Sequence, residues 1–309
     1  DVCTLLRSAH YQTQANDIVR LLDAPEQRLI IATDTNKQTL YGVCLLIEEG
    51  GTCLADLAQD ISLCKRRVKG HLSPQTIALQ LLQSDICEKR CLRINRIAVS
   101  ETYRMHGVAR ALLSFCTNIA KSEAINYLSS SFGYTPDLYA FWTKNQFDLI
   151  KIGSRVDTSS GTNSALMLRS IDFPEYAKYL ANLKIRLSMD IVYFEQFLDN
   201  WPQHQHLEKS IAADVVPLAD VVPLSNAKEL SDFSYMIDLF INGSANLNLV
   251  APYLWTYIQS LDGVDVQNGE AKIKKQLTNY FKGYHKKGTH KADKRELQEK
   301  LKHLIRSVT

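Results

Sequence analysis

The part of the sequence best suited to chemistry joins an apolar strand-like run to the start of a helix. Arg96-Ile97-Ala98-Val99 is typical of a strand end, and Arg104-Met105-His106-Gly107-Val108-Ala109 leads into helical spacing. Gly107 allows a ligand to approach the backbone closely, and the first N–H groups of a helix lack intrahelical acceptors. Together with the helix dipole and Arg104, these donors suit a pyrophosphate. The same pattern also fits an ordinary strand-to-helix turn.

The strand before this loop contains a break in its alternation. Apolar residues occur at Leu92 and Ile94 and resume at Ile97 and Val99, so the period slips by one residue around Asn95-Arg96. A slip of one residue indicates a β-bulge, which opens strand pairing locally. We therefore expect a bulged strand directly before the Gly107 loop.

The elements around this segment predict an α/β domain. Runs of β-branched and apolar residues are flanked by turn-forming residues. Stretches of apolar residues with helical spacing lie between these runs. The predicted strands are 28–33, 40–48, 92–99, 127–132, 147–152 and 164–169, the first two as a hairpin. Three helices are predicted in this part of the chain. The first is capped by Ser73-Pro74 and ends at Leu82, and the others cover 107–121 and 135–145.

From Phe173 onward the sequence predicts helices and no strand. An apolar stripe with helical spacing runs from Tyr176 to Leu198, and further helices are predicted at 226–241, 250–262, 270–282 and 293–308. Between Ala213 and Leu224 the hexapeptide Ala-Asp-Val-Val-Pro-Leu occurs twice, and its prolines favour a linker. We predict two domains, an α/β domain over 1–172 and a helical tail domain over 173–309.

Composition excludes several classes of protein. With 309 residues, 45% of them apolar, the chain is long enough for two folded domains. It contains no run of 18 apolar residues and no signal-peptide pattern, so we expect no membrane span and a cytoplasmic location. The seven cysteines all lie within the first 116 residues, and no pair has zinc-knuckle spacing. We expect reduced thiols and no metal site, and we interpret His204-x-His206 as surface.

Positive charge is concentrated at the end of the chain. Residues 271–309 hold twelve Lys or Arg and three acids, which leaves −6 for the rest of a chain whose net charge is +3. Such a tail suits a polyanion such as RNA, or is a solvated helical face. The candidate phosphate contacts are Lys282, Lys286, Lys287 and Lys291, with a second basic cluster at Lys65-Arg66-Arg67 and Lys69. The interleaved aromatics Tyr280, Phe281 and Tyr284 stack unpaired bases or form an apolar packing face.

The Gly107 segment resembles the Arg/Gln-x-x-Gly-x-Gly/Ala signature of the GNAT N-acetyltransferases. Two further stretches, Tyr127–Trp142 and Ser159–Leu168, resemble one branch of them, the RNA cytidine acetyltransferases, and the resemblance covers residues 5–171. It implies a GNAT acyl-CoA N-acyltransferase fold, a mixed sheet with a bulged strand. It also implies transfer of acetyl from acetyl-CoA to N4 of the wobble cytidine of elongator tRNA(Met).

In that family the reaction is coupled to ATP hydrolysis by an N-terminal helicase-like module. We expect this chain to be a fragment without that module, and ATP to act only through it. The nearest phosphate-loop pattern is Gly283-x-x-x-x-Gly288, but Thr289-His290 follows where Lys-Ser/Thr is needed. We therefore expect no ATP site in this sequence.

The resemblance also implies a set of cofactor contacts. Ile97, Ala98 and Val99 correspond to backbone contacts with acetyl-CoA, and the pyrophosphate would be wrapped by Arg104, Met105, His106, Gly107, Val108, Ala109 and Arg110. Asp137 and Lys144 replace a family Glu and Arg that contact the cofactor. The alternative for these two is a solvated ion pair at i and i+7 on one helix face.

One departure bears on mechanism, because Ser100-Glu101 stands where family members commonly have His-Pro. Direct attack by the unprotonated cytidine N4, with a backbone N–H near Val99 stabilising the oxyanion, needs no such histidine. We assign no catalytic acid or base. Tyr134, Tyr139 or water could protonate the leaving thiolate, and Tyr139 equally suits core packing. Two other functions stay open, a GNAT acting on a protein or small-molecule amine and an inactive tRNA-binding module.

Overall fold

The computed structural model describes residues 2–8, 24–158, 160–198, 235–260 and 269–285, with 295–296, 299–300 and 302. The strands are β1 Gln27–Thr33, β2 Leu40–Glu49, β3 Cys91–Val99, β4 Tyr127–Gly133, β5 Asp148–Val156 and β6 Asn163–Ser170. The helices are α1 Val2–Ser8, α2 Ala58–Ser62, α3 Leu72–Leu81, α4 Val108–Ser122, α5 Pro136–Lys144, α6 Tyr176–Phe197, α7 Leu247–Ser260 and α8 Gly269–His285, and residues 235–241 are also helical.

The six strands form one mixed sheet in the order β1-β2-β3-β4-β6-β5. β3 and β4 are parallel, and every other neighbouring pair is antiparallel. Helix α4 is the crossover between the two parallel strands, as such a connection requires. All six predicted strands and the predicted hairpin of β1 with β2 are confirmed.

The predicted bulge lies in β3. Leu45 of β2 pairs with Arg96, whereas its neighbour Leu46 pairs with Ile94, so Asn95 is the extra residue. The Asn95 side chain accepts a hydrogen bond of 2.8 Å from Arg93 Nη1, and Arg93 Nε donates to Glu49 Oε1 at 2.5 Å. The bulge is therefore tied to a charged pair whose carboxylate is buried.

Beyond the bulge, β3 and β4 part. Their parallel register covers Cys91–Ile94 against Tyr127–Ser130, although β4 continues to pair with β6 through Gly133. Residues 95–99, which belong to the described part of the chain, do not pair with β4. The edge of β3 that faces β4 is thus open over Ile97–Val99.

The helices over the sheet follow from their sequences. The core-facing side of α4 buries Leu112, Leu113 and Cys116. At the start of α5, Thr135 accepts a hydrogen bond from the Leu138 N–H at 3.3 Å and Pro136 occupies the first turn, both common helix-start features.

The predicted cap of α3 at Ser73 is wrong. That helix begins at Leu72, and the Ser73 N–H instead donates to the buried Glu49 carboxylate at 2.9 Å.

All seven cysteines are free thiols. Four of them are fully buried: Cys44, Cys87, Cys91 and Cys116. Burial raises the pKa of Cys64 to about 11, and burial with the nearby carboxylates of Asp85 and Glu88 does the same for Cys87. Since the thiolate is the reactive form, these thiols are poor nucleophiles near neutral pH.

The chain divides into two compact units. The first comprises 1–62 and 67–183 and the second 63–66 and 184–309, so the division falls within α6, whereas the sequence places a boundary at 172/173. The described residues after Ser170 contain helices and no strand. In the second unit, Arg186 forms a buried 2.9 Å ion pair with Asp190 and donates to the Leu249 carbonyl at 2.7 Å. The hydrogen bond from Arg186 to Leu249 links α6 to α7.

A substitution at Gly50 tests the packing after β2. Gly50 has φ +74°, and a Cβ there would lie 2.2 Å from the Lys89 carbonyl oxygen, whereas Gly70 has φ +78° with nothing within 4 Å. Both Gly→Ala changes strain the backbone, so their difference isolates the clash. We expect Gly50→Ala to lower the free energy of unfolding by about 1–3 kcal/mol more than Gly70→Ala, measured by denaturant titration. Equal losses would contradict this packing.

Thiol labelling tests the burial pattern. In the folded protein, iodoacetamide at pH 8 should modify the exposed Cys3 and Cys53 first and the half-buried Cys64 slowly, because its raised pKa leaves little thiolate. The four buried cysteines should react only on unfolding, and labelling in denaturant is the control. Mass spectrometry of the labelled peptides reads the order. Modification of Cys91 as fast as Cys3 in the native protein would refute the burial described.

Candidate functional site

The loop after β3 is anchored where it begins. The Ser100 N–H donates to the Tyr41 carbonyl at 2.9 Å, and the Tyr103 N–H donates to the Ser100 carbonyl at 2.9 Å within a single 3₁₀ turn, Glu101–Tyr103. The rings of Tyr41 and Tyr103 lie 4.5 Å apart between centroids. The open end of β3 therefore leads into a loop that β2 holds in place.

The tip of this loop adopts backbone conformations that L-residues rarely take. Met105 has φ 64° and Gly107 has φ 82°, both in the left-handed region. Gly107 in the left-handed region, followed by the right-handed first residue of α4, turns successive N–H groups toward one side, an arrangement that suits an anion. The Met105 side chain is fully exposed. Strain of this kind at a non-glycine residue often accompanies a binding role.

Helix α4 begins directly after Gly107 with its donors unused. No side chain caps the helix, no acid lies in its first turn, and the first N–H to reach a helical acceptor is that of Ala111, bonded to the Gly107 carbonyl at 2.9 Å. The N–H groups of Val108, Ala109 and Arg110 are therefore left for a ligand, at the positive end of the helix dipole. The predicted strand, loop and helix start are all in place.

Side-chain charge around the loop is basic and solvated. Arg104 lies 3.5 Å from the Glu101 carboxylate, and both side chains are mostly exposed. His106 Nδ1 is 2.7 Å from the Arg104 carbonyl, which braces the turn. Because an exposed ion pair is worth little, Arg104 can leave Glu101 for a phosphate at small cost.

Close packing holds the open strand against α4. Ile97, Ala98 and Val99 pair with Cys44, Val43 and Gly42 of β2. A Cβ on Gly42 would lie 2.9 Å from the Ala98 carbonyl oxygen and 3.0 Å from Val108 Cγ1. Gly42 thus lets β2, the end of β3 and the first residue of α4 meet, with the other backbone edge of β3 open for a hydrogen-bonding arm.

Across the opening, β4 ends at Gly133 and Tyr134 follows. Tyr134 is buried, its N–H donates to the Asn163 carbonyl at 2.7 Å, and its ring centroid lies 5.9 Å from that of Tyr139. Tyr139 and Trp142 are buried on the inner face of α5. The core-packing interpretation therefore applies to Tyr139. Tyr134 directly follows the end of β4, beside the opening between β3 and β4, and stays a candidate proton donor.

The two predicted contacts on α5 are separated. Asp137 lies in the first turn and Lys144 in the last, both are exposed, and in the described chain no ion pair joins them. Lys144 lines a groove together with Arg110, whereas Asp137 does not. The groove also contains Arg169, which sequence reasoning missed because its position depends on the pairing of β6 with β4.

The predicted tail contacts are only partly described. Lys282 is exposed on α8, and Lys286, Lys287 and Lys291 lie outside the described residues. Phe281 is fully buried against Tyr193 and Phe197, and Tyr284 is also buried. Base stacking by these two residues is therefore wrong, and the packing alternative holds for them. Tyr280 remains half-exposed.

The residues that the structure describes form neither a metal cluster nor a membrane-spanning helix. Among those residues, no group of three His, Cys, Asp or Glu side chains is placed to hold a metal ion. None of the described helices is long and apolar enough to cross a membrane. His204 and His206 and the tandem hexapeptides lie outside the described residues.

The resemblance noted from the sequence is confirmed by curated relatives. The tRNA(Met) cytidine acetyltransferase TmcA of Pectobacterium atrosepticum is 42% identical over 53% of this chain and 23% of its own length. The TmcA of Vibrio cholerae is 33% identical over 83% of this chain and 34% of its own. The chain thus spans about a quarter to a third of the length of these relatives.

A solved structure and a family model also match part of the chain. A GNAT family acetyltransferase from Elizabethkingia anophelis with acetyl-CoA bound matches with a TM-score of 0.35 and 16% identity, over 54% of this chain and 89% of that one. The model of the family GNAT acetyltransferase 2 matches residues 1–120 and 101–172. These matched ranges contain the bulged strand, the Gly107 loop and α4 and make up more than half of the sequence, so the chain belongs to the GNAT acetyltransferase 2 family.

Proposed function

We propose that this chain transfers the acetyl group of acetyl-CoA to N4 of the wobble cytidine of elongator tRNA(Met). The observation that carries the proposal is the parting of β3 from β4 beyond the Asn95 bulge, directly before a loop and helix start rich in unused N–H donors. An amide-bearing arm fits the open strand edge, and a pyrophosphate fits the helix start. The printed name of the relatives supports the tRNA substrate.

Each part of the site has a role in this reaction. The backbone of Ile97, Ala98 and Val99 pairs with the pantetheine arm and orients the thioester. The N–H groups of Val108, Ala109 and Arg110 bind the pyrophosphate with Arg104. Gly107 supplies the left-handed turn at φ 82° that brings the loop to the helix start.

The chemistry needs little proton transfer before attack. The neutral N4 amine attacks the thioester carbonyl, a C–N bond forms, and a backbone N–H at the open edge of β3 stabilises the oxyanion. Collapse breaks the C–S bond, N4 loses a proton to solvent, and the thiolate of CoA takes one up. Tyr134, beside the opening, is our candidate donor for that second proton. Ser100 and Glu101 are given no role as a base.

The proposed tRNA-binding surface is basic. Lys282, Lys286, Lys287 and Lys291 contact its phosphates, and the basic cluster around Arg66 is a second candidate surface whose side chains are exposed from Lys65 to Arg67. A tRNA substrate implies a cytoplasmic location. We assign any ATP-driven step to sequence that this chain does not share with its longer relatives.

Isothermal titration with acetyl-CoA tests the cofactor site. Gly107→Glu adds bulk and negative charge to the proposed pyrophosphate loop, whereas Gly70→Glu makes the same change at a glycine of similar φ, and a Cβ at either position meets nothing within 4 Å. We expect the parent and Gly70→Glu to bind and Gly107→Glu to lose at least about tenfold in affinity, because the added carboxylate repels the pyrophosphate beside the helix start. Equal losses in both variants would reject this location.

Acetylation of tRNA(Met) transcripts, read as acetylcytidine by mass spectrometry, tests the reaction. If Tyr134 is the proton donor, Tyr134→Phe should lower the single-turnover rate by about 10²-fold or more, with acetyl-CoA affinity unchanged. Full retention of turnover removes Tyr134 from the mechanism. Binding of acetyl-CoA and tRNA by the parent without any product would instead favour the inactive module, for which Ser100-Glu101 is the motivating departure.

The salt dependence of tRNA binding tests the tail. Neutralising Lys282, Lys286 and Lys287 to Gln should reduce the slope of log K against log salt by about 0.7–0.9 for each lost phosphate contact. Lys37→Gln, at an exposed position of the first unit, is the control and should leave the slope unchanged. An unchanged slope in the triple variant would refute tail contacts with phosphate.

A further inference from the structure

A polar cluster lies on one face of the sheet at the point where β3 leaves β4. Glu49, at the end of β2, is buried, and its two carboxylate oxygens accept hydrogen bonds from Arg93 Nε at 2.5 Å and from the Ser73 N–H at 2.9 Å. Arg93 Nη1 donates in turn to Asn95 Oδ1 at 2.8 Å. Since Ser73 belongs to α3, these contacts place the Arg93 and Asn95 side chains on the α3 face of the sheet.

Asn95 stands at the closed end of the opening between the two strands. It is the extra residue of the bulge and directly follows Ile94, the last residue of β3 that pairs with β4. Bulges beside functional sites commonly redirect a side chain. Ile97, the first residue of the open edge, follows two positions later, roughly 7 Å along the strand. The Asn95 side chain therefore borders the opening in which we place the thioester.

The β4 side of the same opening carries small side chains. Ser129 lies opposite Arg93 in the parallel register, and its hydroxyl is held 2.7 Å from Ser73 Oγ and 3.2 Å from Cys91 Sγ. Two positions further along β4, on the same face, is the half-buried Ser131. Short side chains on this strand leave room for a flat ring between β3 and β4.

The contact with Arg93 fixes how the Asn95 amide is oriented. A guanidinium has only donors, so the atom that it contacts is Oδ1 and the Nδ2 group is left to donate to something else. Within the described ranges of the chain, Nδ2 has no acceptor. Because the buried Glu49 carboxylate holds Arg93, the amide is preorganised to present this donor.

The charges of the cluster are balanced. The Arg93 side chain is 14% exposed and is paired with Glu49, both of whose oxygens are already used. A protonated amine would meet the guanidinium as a like charge, and a phosphate would meet no net positive charge. The cluster therefore suits a neutral ligand that offers a hydrogen-bond acceptor, such as a nucleobase.

We propose that Asn95 Nδ2 donates a hydrogen bond to the O2 carbonyl of the acceptor cytidine, with Arg93 and Glu49 as positioning residues. The proposal rests on the proposed function and adds the residue that recognises the acceptor base. Cytosine carries its O2 carbonyl and its N4 amine at the two ends of one edge, on which unpaired bases are commonly recognised. A contact at O2 holds the ring at the closed end of the opening and directs N4 toward the thioester at Ile97–Val99. Adenine has an amine but no such carbonyl, so the same contact selects against it.

Single-turnover acetylation of two synthetic anticodon stem-loops of tRNA(Met), with cytidine or 2-thiocytidine at the wobble position, tests the contact. The RNAs differ at one atom, and sulfur is a weak hydrogen-bond acceptor. The parent should acetylate the cytidine RNA about threefold to tenfold faster, the range of one hydrogen bond. Asn95→Asp keeps the acceptor for Arg93 but replaces the donor by a carboxylate oxygen. It should lower the cytidine rate by about tenfold or more and bring the two RNAs within about twofold of each other.

Two further variants separate recognition from structure. Asn36→Asp makes the same change at an exposed position between β1 and β2 and should keep both the rate and the preference. Asn95→Ala removes the donor without adding charge and should also abolish the preference. In each variant the affinity for acetyl-CoA, measured by isothermal titration, should equal that of the parent, which controls for folding.

Three results would overturn the inference while leaving the proposed function in place. They are a preference for cytidine that both Asn95 variants retain, a parent that acetylates the two RNAs equally fast, and loss of acetyl-CoA affinity in both Asn95 variants. A parent that binds acetyl-CoA but acetylates neither RNA would instead reject the proposed function, and the inference with it.

Discussion

One extra residue in β3 is the constraint on which the rest of the site depends. Asn95 lets β3 stay paired with β2 to its end while it leaves β4 after Ile94. A regular strand would remain hydrogen-bonded to both neighbouring strands and would expose no backbone edge. The bulge is held by a chain of polar contacts from Asn95 through Arg93 to the buried Glu49, so the opening is built into the core of the sheet.

Helix α4 contributes to two neighbouring features of the first unit. Its first turn presents N–H groups that no side chain caps, and its outer face runs along a groove whose positive charges have no acidic partner in the described chain. The two features share Arg110. A rigid helix that crosses from β3 to β4 thus fixes the distance between the strand opening, the helix start and Arg169.

Features that depend on local pattern were predictable from the sequence. The broken alternation at Asn95, the glycine before α4 and the Thr135-Pro136 start of α5 each carry their own chemical signature. Arg169 carries none, because its position arises from the pairing of β6 with β4 and from its contact with Gln146 beyond the end of α5. The cap predicted at Ser73 was wrong, and the two alternatives for Phe281 stayed open, for a related reason. The buried Glu49 carboxylate accepts a hydrogen bond from the Ser73 N–H. Phe281 packs in an aromatic cluster of the second unit.

The central claim is that acetyl-CoA occupies the opening between β3 and β4 and the start of α4. Hydrogen–deuterium exchange with and without acetyl-CoA measures this at the backbone itself. We expect slower exchange at Ile97–Val99 and Val108–Arg110 and no change in α3, which lies outside the site. Protection that is absent from both segments, or that appears equally in α3, would contradict it.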